Sequence, residues 1–293
     1  MPSRYLTGDL EDDAAALWHA MLGPARDGLA ALAGLGIGAV EVGDVRGEPA
    51  PETVALALDT VREAGLRPHA HLWLPARFTP DDVPATLQAA VTALVASADD
   101  SGDDWGEGSS GASPDHALAH CAVHGHRRHE PDAFTATVRD LCALEPWLRE
   151  RGASAALEVC RSRPEGPFGG TYAEVEAVAA AVADALGARV GVTWDLGHTT
   201  WNHLQGLDAL WPAPGFLTRV RHVHVHDVGV SGRTHFPLDE GRAPLQGFVE
   251  RLREVGYDGL WDLELYPERW GGTPAACRRR LEDSVARLAE ALS

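Results

Sequence analysis

The chain has 293 residues and a formal net charge of −18, and it contains no lysine, so all 25 of its basic residues are arginines. The absence of lysine excludes the Schiff-base chemistry of class I aldolases and of the usual pyridoxal-phosphate enzymes, as well as a lysine-bearing phosphate loop. The acidity disfavours nucleic acid and anionic membranes as partners. It favours a small, neutral or modestly charged substrate.

Short apolar runs alternate along the chain with longer amphipathic segments rich in Ala and Leu. Strands are predicted at 4–7, 39–42, 67–72, 119–123, 154–159, 190–194, 220–225 and 260–265. Helices are predicted at 25–34, 51–64, 81–97, 131–151, 171–187, 204–211, 244–255 and 274–291. Eight such alternating units in a chain of this length predict an α/β fold with a parallel sheet, closed into a (β/α)8 TIM barrel. An open, doubly wound sheet is less favoured, because no GxGxxG motif follows the first strand.

The sequence predicts a single barrel domain over residues 1–293, with a long acidic loop rich in Gly and Ser at about 98–115. No apolar run approaches the roughly 20 residues of a membrane span, and the N-terminus lacks the pattern of a secretory signal. The four cysteines form neither a CxxC pair nor a zinc knuckle. We therefore expect reduced thiols and a cytoplasmic protein without a membrane partner.

Imidazoles and carboxylates collect at the carboxyl ends of the predicted strands, where the active site of a parallel barrel lies. Alternation along the strand places His222, His224 and His226 on the interior face and directs the valines between them outward. Buried carboxylates beside neutral imidazoles need a cation, and mixed oxygen and nitrogen ligands suit Mn²⁺, Mg²⁺, Co²⁺, Zn²⁺ or Fe²⁺. One divalent metal ion is therefore predicted, with its identity open, and its ligands end four successive strands: Glu158, Asp195, His224 and Glu264.

Several motifs around these residues follow the order of a known barrel family. LAALAGLGIGAVEVG is similar to its early helix and strand, DLGH at 195–198 to its Asp-x-x-His motif, and HVHVHD at 222–227 to its His-x-x-Asp strand. The stretch from FPLDEG to LWDLELY is similar to the segment between its last two strands. Asp239 replaces the Gly that opens the family's turn, and His226 stands where the family often has lysine. The chain thus resembles the xylose isomerase-like TIM barrel superfamily, particularly its sugar phosphate isomerase/epimerase family, which is related to AP endonuclease family 2.

The resemblance implies a divalent-metal-dependent isomerase or epimerase that acts on a sugar or sugar derivative. The implied reaction abstracts a proton next to a carbonyl and passes through an enediolate, with Glu158 and Glu264 as catalytic carboxylates on either side of the substrate. Relatives often pair, so a homodimer is an expectation. The residues expected to contact the carbohydrate-like substrate are His71, His124, His198, Arg233 and His235.

Three other functions stay open at this point. A metal-dependent lyase or dehydratase acting on a cyclitol, a keto-acid or an oxidised glycoside would begin with the same enolate. An endonuclease IV-like phosphodiesterase would need three metals, but Arg233 stands where such enzymes have an aspartate, and the net charge opposes a DNA partner. An inactive barrel that only binds a ligand would be expected to have a damaged metal quartet.

Overall fold

The computed structural model describes residues 1–45, 51–73, 87–92, 95, 119–187 and 190–293. In these residues, seven parallel strands form one sheet in which each strand pairs with the next along the chain. The sheet curls into a nearly closed barrel with helices around it, which confirms the predicted α/β TIM-barrel class. The strands are β1 (Ala39–Val45), β2 (Arg67–Trp73), β3 (Ala119–His124), β4 (Ala153–Glu158), β5 (Gly191–Asp195), β6 (Val220–Val225) and β7 (Leu260–Leu263).

Helices connect the strands, and several begin at a side chain that accepts a hydrogen bond from the first turn. Thr171 accepts from the backbone N–H of Glu174, for example, as its spacing in the sequence suggests. No helix in the described part of the chain combines the length and the apolar character needed to cross a membrane. The helices are α1 (Ser3–Thr7), α2 (Asp13–Leu22), α3 (Ala25–Gly34), α4 (Pro51–Glu63), α5 (Ala133–Arg149), α6 (Tyr172–Leu186), α7 (Leu196–Leu204), α8 (Pro214–Leu217), α9 (Leu245–Glu254) and α10 (Pro274–Leu292), and residues 87–92 are also helical.

The first predicted strand is wrong. Residues 4–7 belong to α1, because a short apolar run fits a buried helix as well as a strand, and the left-handed Gly8 (φ 78°) then ends that helix. A single parallel bridge joins Pro2, just before α1, to Gly43 of β1. Among the described residues, the sheet is therefore not closed by hydrogen bonds between β1 and β7.

Two helices differ from the prediction, and two predicted segments lie wholly or mostly outside the described residues. The helix predicted at 204–211 is wrong, since α7 begins directly after Asp195, whose Oδ1 accepts a hydrogen bond from the N–H of His198 at 2.6 Å. The sequence also gave no indication of α2, although Asp12 caps it by accepting from the N–H groups of Ala14 and Ala15. The acidic segment 98–115 and most of the helix predicted at 81–97 lie outside the described residues.

The interior of the barrel is polar where most barrels are packed with branched apolar side chains. Val223 and Val225 pack into the apolar layer under the helices, while His222 and His224 are buried on the opposite face of β6. The alternation expected from the sequence is thus confirmed. It leaves imidazoles and carboxylates to fill the space inside the sheet.

A buried ion pair ties the loop after β3 to α5. His126 Nε2 lies 2.6 Å from Asp140 Oδ2, and the guanidinium of Arg139 donates to Asp140 Oδ1 at 2.7 Å. The hydrogen bond to Asp140 raises the pKa of His126. Burial alone would raise the pKa of Asp140, but its bonds to His126 and Arg139 lower it below the ordinary value. His126 therefore has a structural partner in α5.

Replacing Asp140 with Asn is expected to lower the free energy of unfolding by about 3 kcal/mol, because it breaks a buried pair. Because the pKa of His126 is raised in the fold, the pair contributes its full stabilisation of the wild type at pH values below the ordinary His pKa. That contribution is lost as pH rises through the raised pKa. The variant should lack this decrease in the free energy of unfolding with pH. Urea unfolding across neutral and alkaline pH measures both effects. The exposed Asp283→Asn is the control, and an Asp140→Asn chain with wild-type stability and slope would contradict the prediction.

Candidate metal centre

The four predicted metal ligands meet at the carboxyl end of the barrel. One ligand atom from each of Glu158, Asp195, His224 and Glu264 lies within 4.8 Å of all the others. His224 Nδ1 is 3.6 Å from Glu158 Oε2, 3.6 Å from Glu264 Oε2 and 3.9 Å from Asp195 Oδ2. Three of the side chains are fully buried, and that of Glu264 is 10% exposed. We call this set the upper centre.

Strand register explains the convergence. Glu158 and Asp195 are the last residues of β4 and β5, and Asp195 pairs directly with His224 of β6. Glu264 follows β7, and its backbone N–H still donates to the carbonyl of Val225 at 3.2 Å. Because parallel strands end at the same rim, side chains distant in sequence are brought to one point.

Neighbouring imidazoles keep the carboxylates of the upper centre ionised. Burial would raise the pKa of Glu158, but the imidazoles of His124 and His71 outweigh burial and hold that pKa well below the usual range. Asp195 behaves in the same way beside His198 and His226. Conversely, burial would lower the pKa of His71, but Glu41 and Glu158 raise it to about 10. Without another cation, the imidazoles must carry the compensating charge.

Orphaned buried atoms indicate that a metal ion fits this set. Among the described residues, His224 Nδ1, both ring nitrogens of His198 and Glu264 Oε2 are buried without a hydrogen bond of good geometry. Three carboxylates and one imidazole are donors that Mn²⁺, Co²⁺, Zn²⁺ and Mg²⁺ accept. The nearby Cys160 Sγ lies 3.8 Å from Glu158 Oε1, but burial raises the pKa of this thiol well above its ordinary value. In the absence of a metal ion, Cys160 is therefore a thiol.

Three of the histidines predicted to contact substrate surround the carboxylates of the upper centre. His71 Nε2 and His124 Nε2 lie 2.9 Å and 2.8 Å from Glu158 Oε2, and 3.1 Å from each other. His198 Nδ1 lies 2.9 Å from Asp195 Oδ2 and 3.2 Å from Glu158 Oε1. These imidazoles can orient the carboxylates and donate protons to oxygens of a bound molecule.

His235 has a defined tautomer. Arg269 can only donate, so its contact at 3.0 Å makes Nδ1 of His235 the acceptor and leaves the ring proton on Nε2, 3.3 Å from Glu264 Oε2. The ring stacks on Tyr266 at 4.1 Å, and the Tyr266 hydroxyl donates to Glu264 Oε1 at 3.0 Å. Burial lowers the pKa of His235 to about 3, which agrees with a neutral ring. Arg233, in contrast, is exposed, and its predicted substrate contact stays a prediction.

Sequence reasoning left two residues out of the predicted site. Tyr266 lies beyond the end of β7 and contacts the Glu264 carboxylate, a contact that strand alternation alone does not predict. The second residue is Glu41 of β1. Its carboxylate lies 3.3 Å from His71 Nδ1 and 3.4 Å from His224 Nε2, so it contacts the outer nitrogens of both rings. Carboxylates in this position commonly fix the tautomer of a metal-binding histidine.

Asp227 of the His-x-x-Asp motif is structural. Its carboxylate is buried and accepts hydrogen bonds from the backbone N–H groups of Val228 (2.7 Å), Ala243 (2.8 Å) and Arg242 (3.2 Å). It thereby fixes both ends of the loop that carries His235. Burial raises the pKa of Asp227, although these N–H donors oppose the shift.

Replacing Asp227 with Ala is expected to lower the free energy of unfolding by about 3 kcal/mol, because three backbone donors in the loop lose their acceptor. Chemical denaturation measures the loss. Asp184→Ala, on the exposed face of α6, is the control with the same substitution and should change stability little. Equal stabilities of the two variants would show that Asp227 does not hold the loop.

The fold agrees with the comparison to known families. The family described as xylose isomerase-like TIM barrel matches residues 29–292, so the chain belongs to this family. Two uncharacterized proteins of Methanocaldococcus jannaschii are similar over short stretches. MJ1311 is 31% identical over 85 residues, covering 28% of each chain, and MJ1188 is 27% identical over 66 residues, covering 22% of this chain and 24% of that protein. These matches thus span only about a quarter of either relative.

Solved structures with a similar fold extend over nearly the whole chain. D-allulose 3-epimerase from Methylomonas sp. has a TM-score of 0.59 at 16% identity, covering 99% of this chain and 96% of that one. D-psicose 3-epimerase from Clostridium cellulolyticum H10, solved with D-tagatose, has a TM-score of 0.55 at 15% identity and coverages of 92% and 93%. A sugar phosphate isomerase/epimerase from Parabacteroides distasonis has a TM-score of 0.57 at 15% identity and coverages of 100% and 94%. At these identities the likeness concerns the fold.

Proposed function

We propose that the protein is a divalent-metal-dependent isomerase or epimerase that acts on a small sugar or sugar derivative. The observation that carries the proposal is the upper centre itself, in which the carboxylates of Glu158 and Glu264 each lie 3.6 Å from His224 Nδ1. Three similar folds whose names state sugar isomerisation or epimerisation support the same chemistry. A cytoplasmic location, a homodimer and the absence of nucleic-acid and membrane partners belong to the same proposal.

The chain's own carboxylates move the proton. A divalent ion held by Glu158, Asp195, His224 and Glu264 would polarise a substrate carbonyl and acidify the adjacent C–H bond. One of the two glutamates then removes that proton and the other returns one. Return to the opposite face of the same carbon gives an epimer, and return to the neighbouring carbon gives an isomer. The enediolate is the shared intermediate.

The surroundings of the two glutamates suit this exchange. Glu158 Oε2 contacts His71 and His124, which keep the carboxylate ionised and fix its position. Glu264 is oriented by the Tyr266 hydroxyl and lies beside the His235 ring. Positioned acid–base groups of this kind typically accelerate a reaction by about 10²–10⁴-fold.

Deuterium exchange tests the proposal. The protein is loaded with Mn²⁺ and incubated in D₂O with ketohexoses, aldoses, their phosphates and keto-inositols, and the products are followed by NMR. We expect deuterium at the carbon next to the carbonyl of at least one compound, and no exchange after treatment with EDTA. Loss of water or of another leaving group would establish the lyase alternative. Exchange that persists without metal, or no exchange with any compound, would overturn the proposed function.

A further inference from the structure

A second set of ionisable side chains lies one layer deeper in the barrel. His69, His222 and Asp262 each precede His71, His224 and Glu264 by two residues, so they point into the same interior but farther from the rim. With Glu41 of β1 they form what we call the lower cluster. Branched apolar residues normally fill this layer of a barrel.

The lower cluster faces an open space. A cavity of about 680 Å³ runs along the side of the barrel where β1 and β7 are not hydrogen-bonded to each other in the described chain. All four side chains of the lower cluster line it, together with apolar residues of α10 such as Leu281 and Leu288. An ion therefore has both space and a route to these groups.

The imidazoles of the lower cluster lack hydrogen-bond partners among the described residues. His69 and His222 are only 7% and 2% exposed, yet within the described ranges neither ring nitrogen of either residue has a hydrogen bond. The centroids of the two rings lie 6.1 Å apart. Leaving a buried polar group unsatisfied typically costs about 1–3 kcal/mol, and the carboxylates of Glu41 and Asp262 lie close to the His222 ring.

The distances are those of a coordination sphere. One atom each of Glu41, His222, His224 and Asp262 lies within 4.8 Å of the others, and Glu41 Oε2 is 3.5 Å from His222 Nε2. Ligands at about 2.0–2.2 Å from one ion lie at most roughly 4.4 Å apart, so small side-chain movements suffice.

His224 separates the two layers. Its Nδ1 faces the upper centre, whereas its Nε2 lies 3.4 Å from Glu41 Oε2. A neutral imidazole keeps a proton on one nitrogen and cannot ligate two ions through both. If Nδ1 is a ligand of the upper centre, Nε2–H donates to Glu41 and does not bind the deeper ion.

We infer that the lower cluster is a second divalent-cation site, in which Glu41, His222 and Asp262 are the ligands and His69 is the further imidazole facing the ion. Two carboxylates and an imidazole select a Mn²⁺-, Co²⁺- or Zn²⁺-type ion. Bound there, the ion neutralises Glu41 and Asp262 and fills a polar layer of the barrel. It also places positive charge directly behind the ring of His224.

Metal counting tests the inference. The full chain is stripped with EDTA, reloaded with excess Co²⁺, separated from free metal and analysed by inductively coupled plasma mass spectrometry. We expect about two equivalents for the wild type and for the exposed control Asp283→Asn, and about one for Asp262→Asn and His222→Gln. If both lower-cluster variants retain as much Co²⁺ as the wild type, the second site does not exist.

A complementary variant separates this inference from the proposed function. Asp195→Asn should lose the upper ion and keep the lower one. An Asp195→Asn chain with an unchanged count would contradict the upper centre but leave the lower site standing. Because a lower-cluster variant could misfold, calorimetric titration of the stripped wild type and of Asp195→Asn with Co²⁺ provides a second test. Two binding events in the wild type, one of which persists in Asp195→Asn, support the lower site, and a single event of one equivalent that is lost in Asp195→Asn overturns it.

Discussion

Glu158→Gln is expected to lower turnover at least about 10³-fold on whichever compound shows deuterium exchange. The substitution keeps the shape of the side chain but removes the negative charge and the basicity of Oε2. Oε2 lies 3.6 Å from His224 Nδ1 and also contacts the imidazoles of His71 and His124. We therefore expect it to serve both metal binding and proton transfer. Steady-state kinetics with saturating Mn²⁺ isolates the loss of the base from weaker metal binding.

The matched control is Glu165→Gln, an exposed glutamate in the loop after the same strand. It should retain wild-type turnover and metal content. Glu264→Gln should resemble Glu158→Gln in turnover, because each glutamate handles one of the two proton transfers. A Glu158→Gln or Glu264→Gln chain that binds metal and turns over at the wild-type rate would remove that residue from the mechanism.

Gly197→Ala is expected to weaken Mn²⁺ binding about 10–100-fold and to lower the free energy of unfolding by about 1–3 kcal/mol. A Cβ at this position would lie 1.9 Å from Cε1 and Nδ1 of His226, so the ring must move. His226 Nδ1 accepts a hydrogen bond from the backbone N–H of His235 at 3.0 Å, which leaves Nε2 to donate to Asp195 Oδ1, also at 3.0 Å. Displacing the ring therefore removes the group that orients a metal ligand.

Gly215→Ala provides the comparison for this substitution. Its Cβ would meet open space, so the same added methyl group should leave metal affinity unchanged. Isothermal titration with Mn²⁺ and urea unfolding measure both properties. If Gly197→Ala binds Mn²⁺ as tightly as Gly215→Ala, the contact with His226 does not matter for the centre.

The quartet of the upper centre could be found from the sequence because two simple rules place it. Parallel strands end at one rim, and alternate residues of a strand share a face. The rules locate Glu158, Asp195, His224 and Glu264 without knowledge of any helix. They say nothing of contacts made by loops, so the exposure of Arg233 and the orientation of His235 could not be derived in the same way.

Local context explains where the sequence was misleading. The run at 4–7 has no period that distinguishes a strand from a single helical turn, and in the fold it is Tyr5 and Leu6 of a short helix that are buried. His126 follows the strand predicted at 119–123, but its partner Asp140 lies 14 positions away in a helix. Only tertiary packing reveals that pair.

His226, at the position where the resemblance implies lysine, contacts Asp195 in the fold. A lysine there would supply a flexible point charge, whereas the imidazole supplies a directed N–H donor held in a planar ring. In a chain without lysine, the carboxylate is therefore oriented by a planar ring that depends on the small Gly197 beside it.

β1 and β7 are not hydrogen-bonded to each other in the described chain, and this gap affects how the protein folds. In the described sheet every strand pairs with its neighbour in sequence, so the ladder can grow by successive local additions, as in repeat proteins. The ends of the chain meet instead through side chains, where α10 packs against α2. Bringing the two ends of the sheet together costs loop-closure entropy. Helix packing, rather than backbone hydrogen bonding between strands, offsets this cost. Assembly of the sheet and joining of its two ends become separable events.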